Sequence, residues 1–277
     1  ARVTVVELPR ITRDPDDVTA AIVAAASPDT KLALVDWVTS PTGMVLPIAD
    51  IVKLLDELGI DTLVDAAHAP GMVPVDLDAL GAAFVTGNFH KWICAPKTSA
   101  FLHVRRDKQD GVFPAVTSHG MNSPRARRGR FRLEFDWLGT LDVTPTLAVP
   151  AAYAYLEARL PGGLPEHMEQ NRKLALLGRA LLAERLDLEP VCPEAMVGSL
   201  ASLVLPDAPR PSEQTSALYV DPLRAALFRD HRIEVPIVPF PAPPQRLVRI
   251  SAQAYNTLAD YERLAEALAV ELARERR

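Results

Sequence analysis

Cysteine is nearly absent from this chain of 277 residues: Cys94 and Cys192 are its only two. Two thiols cannot build a disulfide framework, which sets aside the small stapled scaffolds and makes a reducing cytoplasm the expected location. Long hydrophobic runs are absent too, none reaching the ~18 residues of a membrane span, so no membrane partner is expected. The opening ARVTVVELPR lacks the charged n-region and cleavage site of a signal peptide and alternates like a strand. Positive charge is not in excess: a formal net charge of −5 offers nucleic acid no bulk attraction. What is present is 48% hydrophobic and 23% charged residues, the balance of a globular protein with a sizeable core. The length suits one large domain or two ordinary ones. Prolines number 25 and cluster in PFPAPP (239–244), which reads as a rigid loop.

Strand and helix patterns alternate through the first half. RVTVVEL reads as a strand, and PDDVTAAIVAAA as a helix led by Asp14, Asp16 and Asp17, acidic residues suited to a helix start. KLALVDWV reads as a buried strand, and TSPTG as the turn after it. LPIADIVKLLDELG puts Ile48, Ile51, Leu55 and Leu58 on one helical face and stops at Gly59. DTLVDAAH, the end of LDALGAAFVTGN, and TSAFLHVRR supply further strands. This alternation predicts an α/β fold, a mostly parallel sheet between helices. The second half carries two long helical segments around the breaker PGG (161–163), then SLASLVLP as a strand and SALYVDPLRAALFRDH as a helix. The strands RIEVPIVPF and RLVRISAQ follow, and a last helix aligns Tyr261, Leu264, Leu268 and Leu272 as a core stripe. Residues 1–160 are therefore expected to form a large domain and residues 161–277 a smaller C-terminal α+β domain.

Ligands of open α/β sheets bind beyond the carboxyl ends of the strands. Two loops leaving such ends carry unusual chemistry: VDAAHAPG with Asp65 and His68, and VTGNFHK with Asn88, His90 and Lys91. Lys91 follows a histidine in a stretch too apolar for a charged surface loop, and a lysine that loses its hydration must neutralise, pair or react. Asp65, His68 and His90 could supply a carboxylate and two imidazoles to a metal, but Lys91 would set a cation beside a cation, and D-x-x-H follows no zinc spacing. The set suits pyridoxal 5'-phosphate better. That cofactor needs a lysine of lowered pKa, a carboxylate on its pyridine nitrogen and groups that neutralise its phosphate. Lys91, Asp65, and His90 with Asn88 meet these in turn. Singly, an aspartate at a strand end is more often a cap, and a histidine more often a satisfied structural group; their joint occurrence carries the reading.

LVDAAHAPGMVPVDLDALGAAFVTGNFHKWICAPKTSAFLHVRR resembles the central block of class V aminotransferase-fold enzymes, fold type I of the pyridoxal phosphate proteins. Within them it is most similar to the isopenicillin N epimerase-like branch, where D-x-A-H-A-P-G precedes T-G-N-x-H-K-W and C-A-P-K. FDWLGTLDVTP (135–145) resembles the branch's W-x-G-T-x-D segment, and VRISAQAYNTLAD (248–260) its R-x-S…Y-N-T signature. The resemblance spans nearly the whole chain. It implies that Lys91 forms the Schiff base and acts as acid and base at the substrate α-carbon. It also implies that Asp65 pairs with the pyridine nitrogen, that His68 lies near the ring and its phenolic oxygen, and that His90 and Asn88 approach the phosphate. Thr140 is expected on the phosphate of a neighbouring subunit, which makes the protein a homodimer with shared active sites. Ser40 stands where many relatives carry an asparagine that contacts the ring oxygen. Arg249 matches the residue that grips the substrate α-carboxylate, and period-2 alternation puts it opposite Val248 and Ile250. The expected partner is thus a small amino acid or peptide-like amine.

The relatives also carry an N-terminal segment with a phosphate-binding loop and a residue that stacks on the ring. No equivalent is found before Lys31, so the large domain is expected to be N-terminally incomplete. Cysteine desulfurases and selenocysteine lyases place a nucleophilic cysteine shortly before the carboxylate-binding arginine, and EVPIVPFPAPPQRLVR contains none. Cys94 and Cys192 read as structural. RARRGRFR (125–132) reads as a solvated basic loop, and His119 is left without a role. Epimerase, lyase and transaminase chemistry all remain open, because the second proton donor that epimerisation requires is not legible. The alternatives are a desulfurase-like enzyme and a truncated, non-catalytic homologue.

Overall fold

The structure is a computed structural model that describes residues 2–125, 127, 129–209 and 220–276. Strands β1 (Leu32–Asp36), β2 (Asp61–Ala66) and β3 (Phe84–Asn88) run parallel in that order, and β4 (Ala100–Val104) returns antiparallel along β3. Helices connect the parallel strands, as such crossovers require. Helix α1 (Pro15–Ala24) is capped by Asp14, whose side chain accepts the Asp16 N–H, and α1 packs on α2 (Ile48–Glu57). Helix α2 buries Ile48, Ile51, Val52 and Leu55 and ends just before Gly59; Leu58, expected on the same buried face, is exposed beyond the last turn. A short α3 (Leu77–Leu80), capped by Asp76, leads into β3.

The two faces of this sheet differ. Val35, Val64 and Val85 stand in register and are buried on the face that α2 covers. On the other face Leu32 and Leu34 are 50% and 69% exposed, and Leu102 is 45% exposed. β1 is therefore not the buried strand that its composition suggests. It lies at the sheet edge, and among the described residues no layer covers its second face. RVTVVEL forms no strand either. Its alternating residues Val3 and Val5 are 80% and 77% exposed. Alternation makes a strand only where a partner ladder accepts its backbone groups, and none of the described strands does so.

The second half contributes α4 (Arg130–Phe135), α5 (Thr144–Leu147), α6 (Val149–Ala158) and the long α7 (Gly163–Leu186). An antiparallel sheet of order β5-β7-β6 follows, built from β5 (Leu200–Leu205), β6 (Ile237–Pro239) and β7 (Arg246–Ser251). The helix expected over SALYVDPLRAALFRDH is seen as α8 (Pro222–His231), capped by Asp221; residues 216–219 lie outside the described residues. Helix α9 (Leu258–Glu275) opens with a capping box of Thr257 and Asp260 and buries Tyr261, Leu264, Leu268 and Leu272 as the pattern predicts. It packs on α7 at Gly178, where a β-carbon would stand 2.7 Å from the Tyr261 ring, so only glycine admits that approach. Buried residues of both sheets, among them Val35, Val64, Leu203 and Val248, belong to one continuous apolar cluster. Among the described residues no helix is long and apolar enough to cross a membrane.

One buried cation locks the C-terminal elements. Arg246 is 1% exposed. Its guanidinium donates to Asp221 at 3.0 Å, to the Pro206 carbonyl at 3.0 Å and to the Glu275 carboxylate, joining β7 to the cap of α8 and the end of α9. Breaking a buried pair by removing one partner leaves an uncompensated charge. Asp221→Ala, which also strips the α8 cap, is expected to lower unfolding free energy by about 3 kcal/mol or more in urea denaturation. A loss under ~1 kcal/mol would mean that Arg246 is satisfied without it.

Candidate active site

The carboxyl ends of β2 and β3 launch the two loops that carry the expected chemistry. Asp65 is the last β2 residue paired with β1, and its Oδ1 accepts the Ala67 N–H at 2.8 Å, a local turn that leaves the second oxygen for another partner. The loop then reaches Gly71 at φ +83°, where a β-carbon would stand 2.8 Å from the Trp92 backbone. Both the left-handed conformation and the close approach demand glycine there. This contact presses the Asp65–His68 loop against the lysine loop. The indole closes the join: Trp92 Nε1 donates to His68 Nδ1 at 3.2 Å.

The lysine loop is held by its own backbone. Phe89 N–H donates to the Ser99 carbonyl, Ala95 N–H to the Phe89 carbonyl and Cys94 N–H to the Lys91 carbonyl. Cys94 and Thr98 adopt left-handed conformations, φ 59° and 75°. Such conformations persist in non-glycine residues only where the surroundings impose them. Lys91 is thereby presented half-buried. Unlike Lys108, which pairs with Asp61 at 2.7 Å, it has no ion-pair partner among the described residues. Burial holds its amine below the ordinary lysine pKa, and the Arg249 charge adds to this, while Asp65 and Asp36 oppose it. The neutral, nucleophilic form is correspondingly favoured.

The other expected residues distribute unevenly. His68 is held to a pKa of about 4, first by burial and then by the charges of Lys91 and Arg249, and as the Trp92 acceptor it carries its hydrogen on Nε2. His90 Nδ1 faces the Ser99 carbonyl at 3.3 Å; a carbonyl only accepts, so Nδ1 bears the hydrogen. Asn88 is half-buried at the end of β3. Arg249 lies on β7 with Val248 and Ile250 buried on the opposite face. Its Nη1 donates to the Ser40 carbonyl, and its Nε is buried without a partner among the described residues. Burial holds its pKa below the ordinary arginine value. Ser40 thus meets the crevice through its backbone, at an exposed turn. Thr140 is exposed in the segment between α4 and α5, and among the described residues no hydrogen bond or ion pair ties it to the lysine cluster. It adjoins a separate cleft of about 480 Å³ lined by His119, Trp137 and Gly139. Asp65, His68 and His90 do not gather as metal ligands among the described residues. Cys94 is exposed and accepts a hydrogen bond from Gln253, whereas burial pushes the Cys192 thiol to about 11. Of the basic stretch 125–132, residues 126 and 128 lie outside the described residues.

Sequence reading missed Asp36. It is the register partner of Asp65 on β1, half-buried, and its carboxyl pKa is raised by burial and by Asp65. The signal was available: both strands carry Leu-Val-Asp near their carboxyl ends, and the register sets Leu34 on Leu63, Val35 on Val64 and Asp36 on Asp65.

The Aminotransferase class-V family model matches residues 1–194. Among curated proteins, the isopenicillin N epimerase of Streptomyces clavuligerus is 34% identical over 94% of this chain and 65% of its own length. That of Amycolatopsis lactamdurans is 36% identical over 92% and 63%. A probable L-cysteine desulfhydrase, chloroplastic, of Arabidopsis thaliana is 35% identical over 86% and 50%. Among solved structures, a cystine C-S lyase in complex with its product cysteine persulfide superposes with a TM-score of 0.72 at 19% identity, over 91% of this chain and 64% of that one. The apo cysteine desulfurase from Thermococcus onnurineus NA1 gives 0.70 at 23% identity, over 95% and 63%. The fold is that of fold type I pyridoxal phosphate enzymes, as expected. The chain spans less than two thirds of the two epimerases, 65% and 63%.

The His68 environment makes a pH prediction. Its pKa is 6.5 when unperturbed and about 4 in the fold, so between these values the unfolded state binds more protons. The His68 contribution is complete above the higher value and declines as pH falls toward the lower one. Urea midpoints should fall across that window, and the difference between wild type and His68→Gln, which keeps an acceptor for Trp92, should isolate the His68 share. Identical pH dependence in both proteins would contradict the assignment.

Proposed function

This chain belongs to the aminotransferase class-V family, and we propose that it is a pyridoxal phosphate-dependent enzyme acting at the α-carbon of an amino acid or peptide-like amine, with epimerase-like chemistry. The observation that carries the substrate assignment is Arg249. Its guanidinium is desolvated and its Nε has no partner among the described residues, although it lies close enough to Lys91 for their charges to interact. A buried donor left unpaired costs free energy that a ligand can recover. A substrate carboxylate supplies two acceptors in the planar fork that arginine prefers, and fixes the α-carbon relative to Lys91.

The residues fit the cofactor. Lys91 offers a desolvated amine without an ion-pair partner among the described residues, Asp65 offers a carboxylate oriented by the Ala67 N–H, and Asn88 and His90 end the neighbouring strand and open its loop. Lys91 would hold the aldehyde carbon, Asp65 the pyridine nitrogen, and His90 with Asn88 the phosphate; His68 would lie along the ring. The bound cofactor supplies an electron sink for charge at the substrate α-carbon. Lys91, as the free amine, takes the α-proton on its own side, and the burial that lowers its pKa favours that free amine. Arg249 keeps the carboxylate fixed meanwhile. Thr140, exposed and separate from this cluster, is read as serving the phosphate site of a second copy in a homodimer.

The epimerase-like reading rests on similarity to two epimerases over more than nine tenths of the chain. A second reading, carbon–sulfur bond cleavage of the desulfhydrase kind, is favoured by the comparable identity to a plant relative. Persulfide chemistry is not favoured, because residues 234–249 hold no cysteine.

With pyridoxal phosphate, the purified chain should develop a near-visible band that borohydride fixes, and Lys91→Ala should abolish both and lower turnover by about 10²- to 10⁴-fold. A protein that gains no band overturns the enzyme reading for this chain. Incubation with amino acids in heavy water separates the chemistries: α-deuteration with inversion supports the epimerase, and sulfide release the second reading. Arg249→Gln should raise KM on the order of 10- to 100-fold, the worth of a charged hydrogen-bonded pair. An unchanged KM would remove Arg249 from the substrate site.

A further inference from the structure

The mechanism above uses one carboxylate of the crevice, and the fold provides two. Asp36 and Asp65 are register partners on adjacent parallel strands, and register partners project from the same face of a sheet. Their backbones are separated by one strand spacing, about 4.8 Å. Both are half-buried at the strand ends where the lysine loop begins. Asp65 spends one oxygen on the Ala67 N–H, whereas the Asp36 carboxyl has no hydrogen bond or ion pair among the described residues. A half-buried carboxyl without a donor at the mouth of a crevice has no structural task visible in its contacts. It caps no helix, since the nearest helix, α2, begins at Ile48. Asp36 also senses the groups that matter: Asp65 from β2 and Lys91 from the loop after β3. The same Lys91 senses Asp65, Arg249 from β7 and Asp36 in turn.

We infer that Asp36 is a second functional carboxyl of this crevice, a positioning residue that acts through Asp65 by adding its negative charge to the field that Asp65 and Lys91 share. The consequence follows from Coulomb's law in a partly desolvated site. Two carboxylates side by side repel each other, so the pair releases its protons in separated steps. Once both are ionised they attract a nearby cation more strongly than either does alone. For Lys91 this offsets part of its desolvation and sets how far its amine is depressed. Resting on the cofactor reading proposed above, the same doubled charge would favour the protonated pyridine nitrogen, the form in which the ring withdraws electrons best.

The test needs no cofactor, so its outcome is separable from that reading. In cofactor-free protein labelled at the aspartate carboxyl carbon, NMR gives the Asp36 titration midpoint. Asp65→Asn should lower it and Lys91→Met should raise it, each by about half a unit to one unit for charges at this separation. Conversely, Asp36→Asn should lower the Lys91 midpoint, read from the pH dependence of its reaction with an amine reagent. Linkage requires the Asp36 shift in Lys91→Met and the Lys91 shift in Asp36→Asn to match in size and oppose in sign. An Asp36 midpoint that ignores both substitutions, or a Lys91 midpoint that ignores Asp36→Asn, overturns the inference. Wild-type protein guards against a variant that fails to fold: an Asp36 midpoint no higher than that of an isolated aspartate overturns it as well. Pyridoxal phosphate affinity of Asp36→Asn then reports separately, several-fold weaker binding linking the pair to the ring nitrogen.

Discussion

The site depends on one close approach, the seating of Gly71 against the Trp92 backbone. The loop after β2 and the loop after β3 leave neighbouring parallel strands, and nothing in strand geometry alone obliges them to touch. Glycine at 71 removes the β-carbon that would collide with Trp92, and the left-handed turn there sends the chain back over the lysine loop. The Trp92 indole then reaches His68. The aspartate loop and the lysine loop become one unit, and Asp65, His68 and Lys91 come to share an electrostatic environment. A larger residue at 71 would separate the carboxylate from the amine without touching either.

Within that unit the charges oppose desolvation rather than pair tightly. Lys91 is buried enough to lose hydration, yet no carboxylate among the described residues closes on it, so its amine is depressed without being neutralised by an ion pair. Asp36 and Asp65 provide a background negative field, and Arg249 a competing positive one. This differs from the Arg246 cluster, where a cation is fully buried and saturated with partners. One arrangement spends its polar groups on stability, and the other leaves them open for a ligand.

Much of this was legible in the sequence, for identifiable reasons. Periodicity located α2 and the α9 stripe because one face of each is buried and the other is wet. The motifs around Asp65 and Lys91 and the R-x-S segment at Arg249 pointed to the family. The strand expected over RVTVVEL failed because alternation cannot report whether a partner strand exists. β1 was read as buried because composition cannot distinguish an edge strand with one open face from a central one; Leu32 and Leu34 are exposed for that reason. Asp36 was overlooked because its meaning depends on register, which aligns the two Leu-Val-Asp triplets only once the strands pair. The backbone role of the Ser40 turn toward Arg249 was likewise hidden, since a carbonyl acceptor leaves no mark on residue identity.

On the function proposed above, the fold singles out Lys91, among the lysines of this chain, as the amine that reacts with an aldehyde cofactor. Peptide mapping tests it most directly: the purified chain is mixed with stoichiometric pyridoxal phosphate at neutral pH, reduced with borohydride, digested and sequenced by mass spectrometry. A single dominant adduct on Lys91 is expected, because it is half-buried and has no ion-pair partner among the described residues, whereas Lys31, Lys53, Lys97 and Lys173 are exposed. Adducts spread over Lys31, Lys53, Lys97 and Lys173, with Lys91 unmodified, would contradict it.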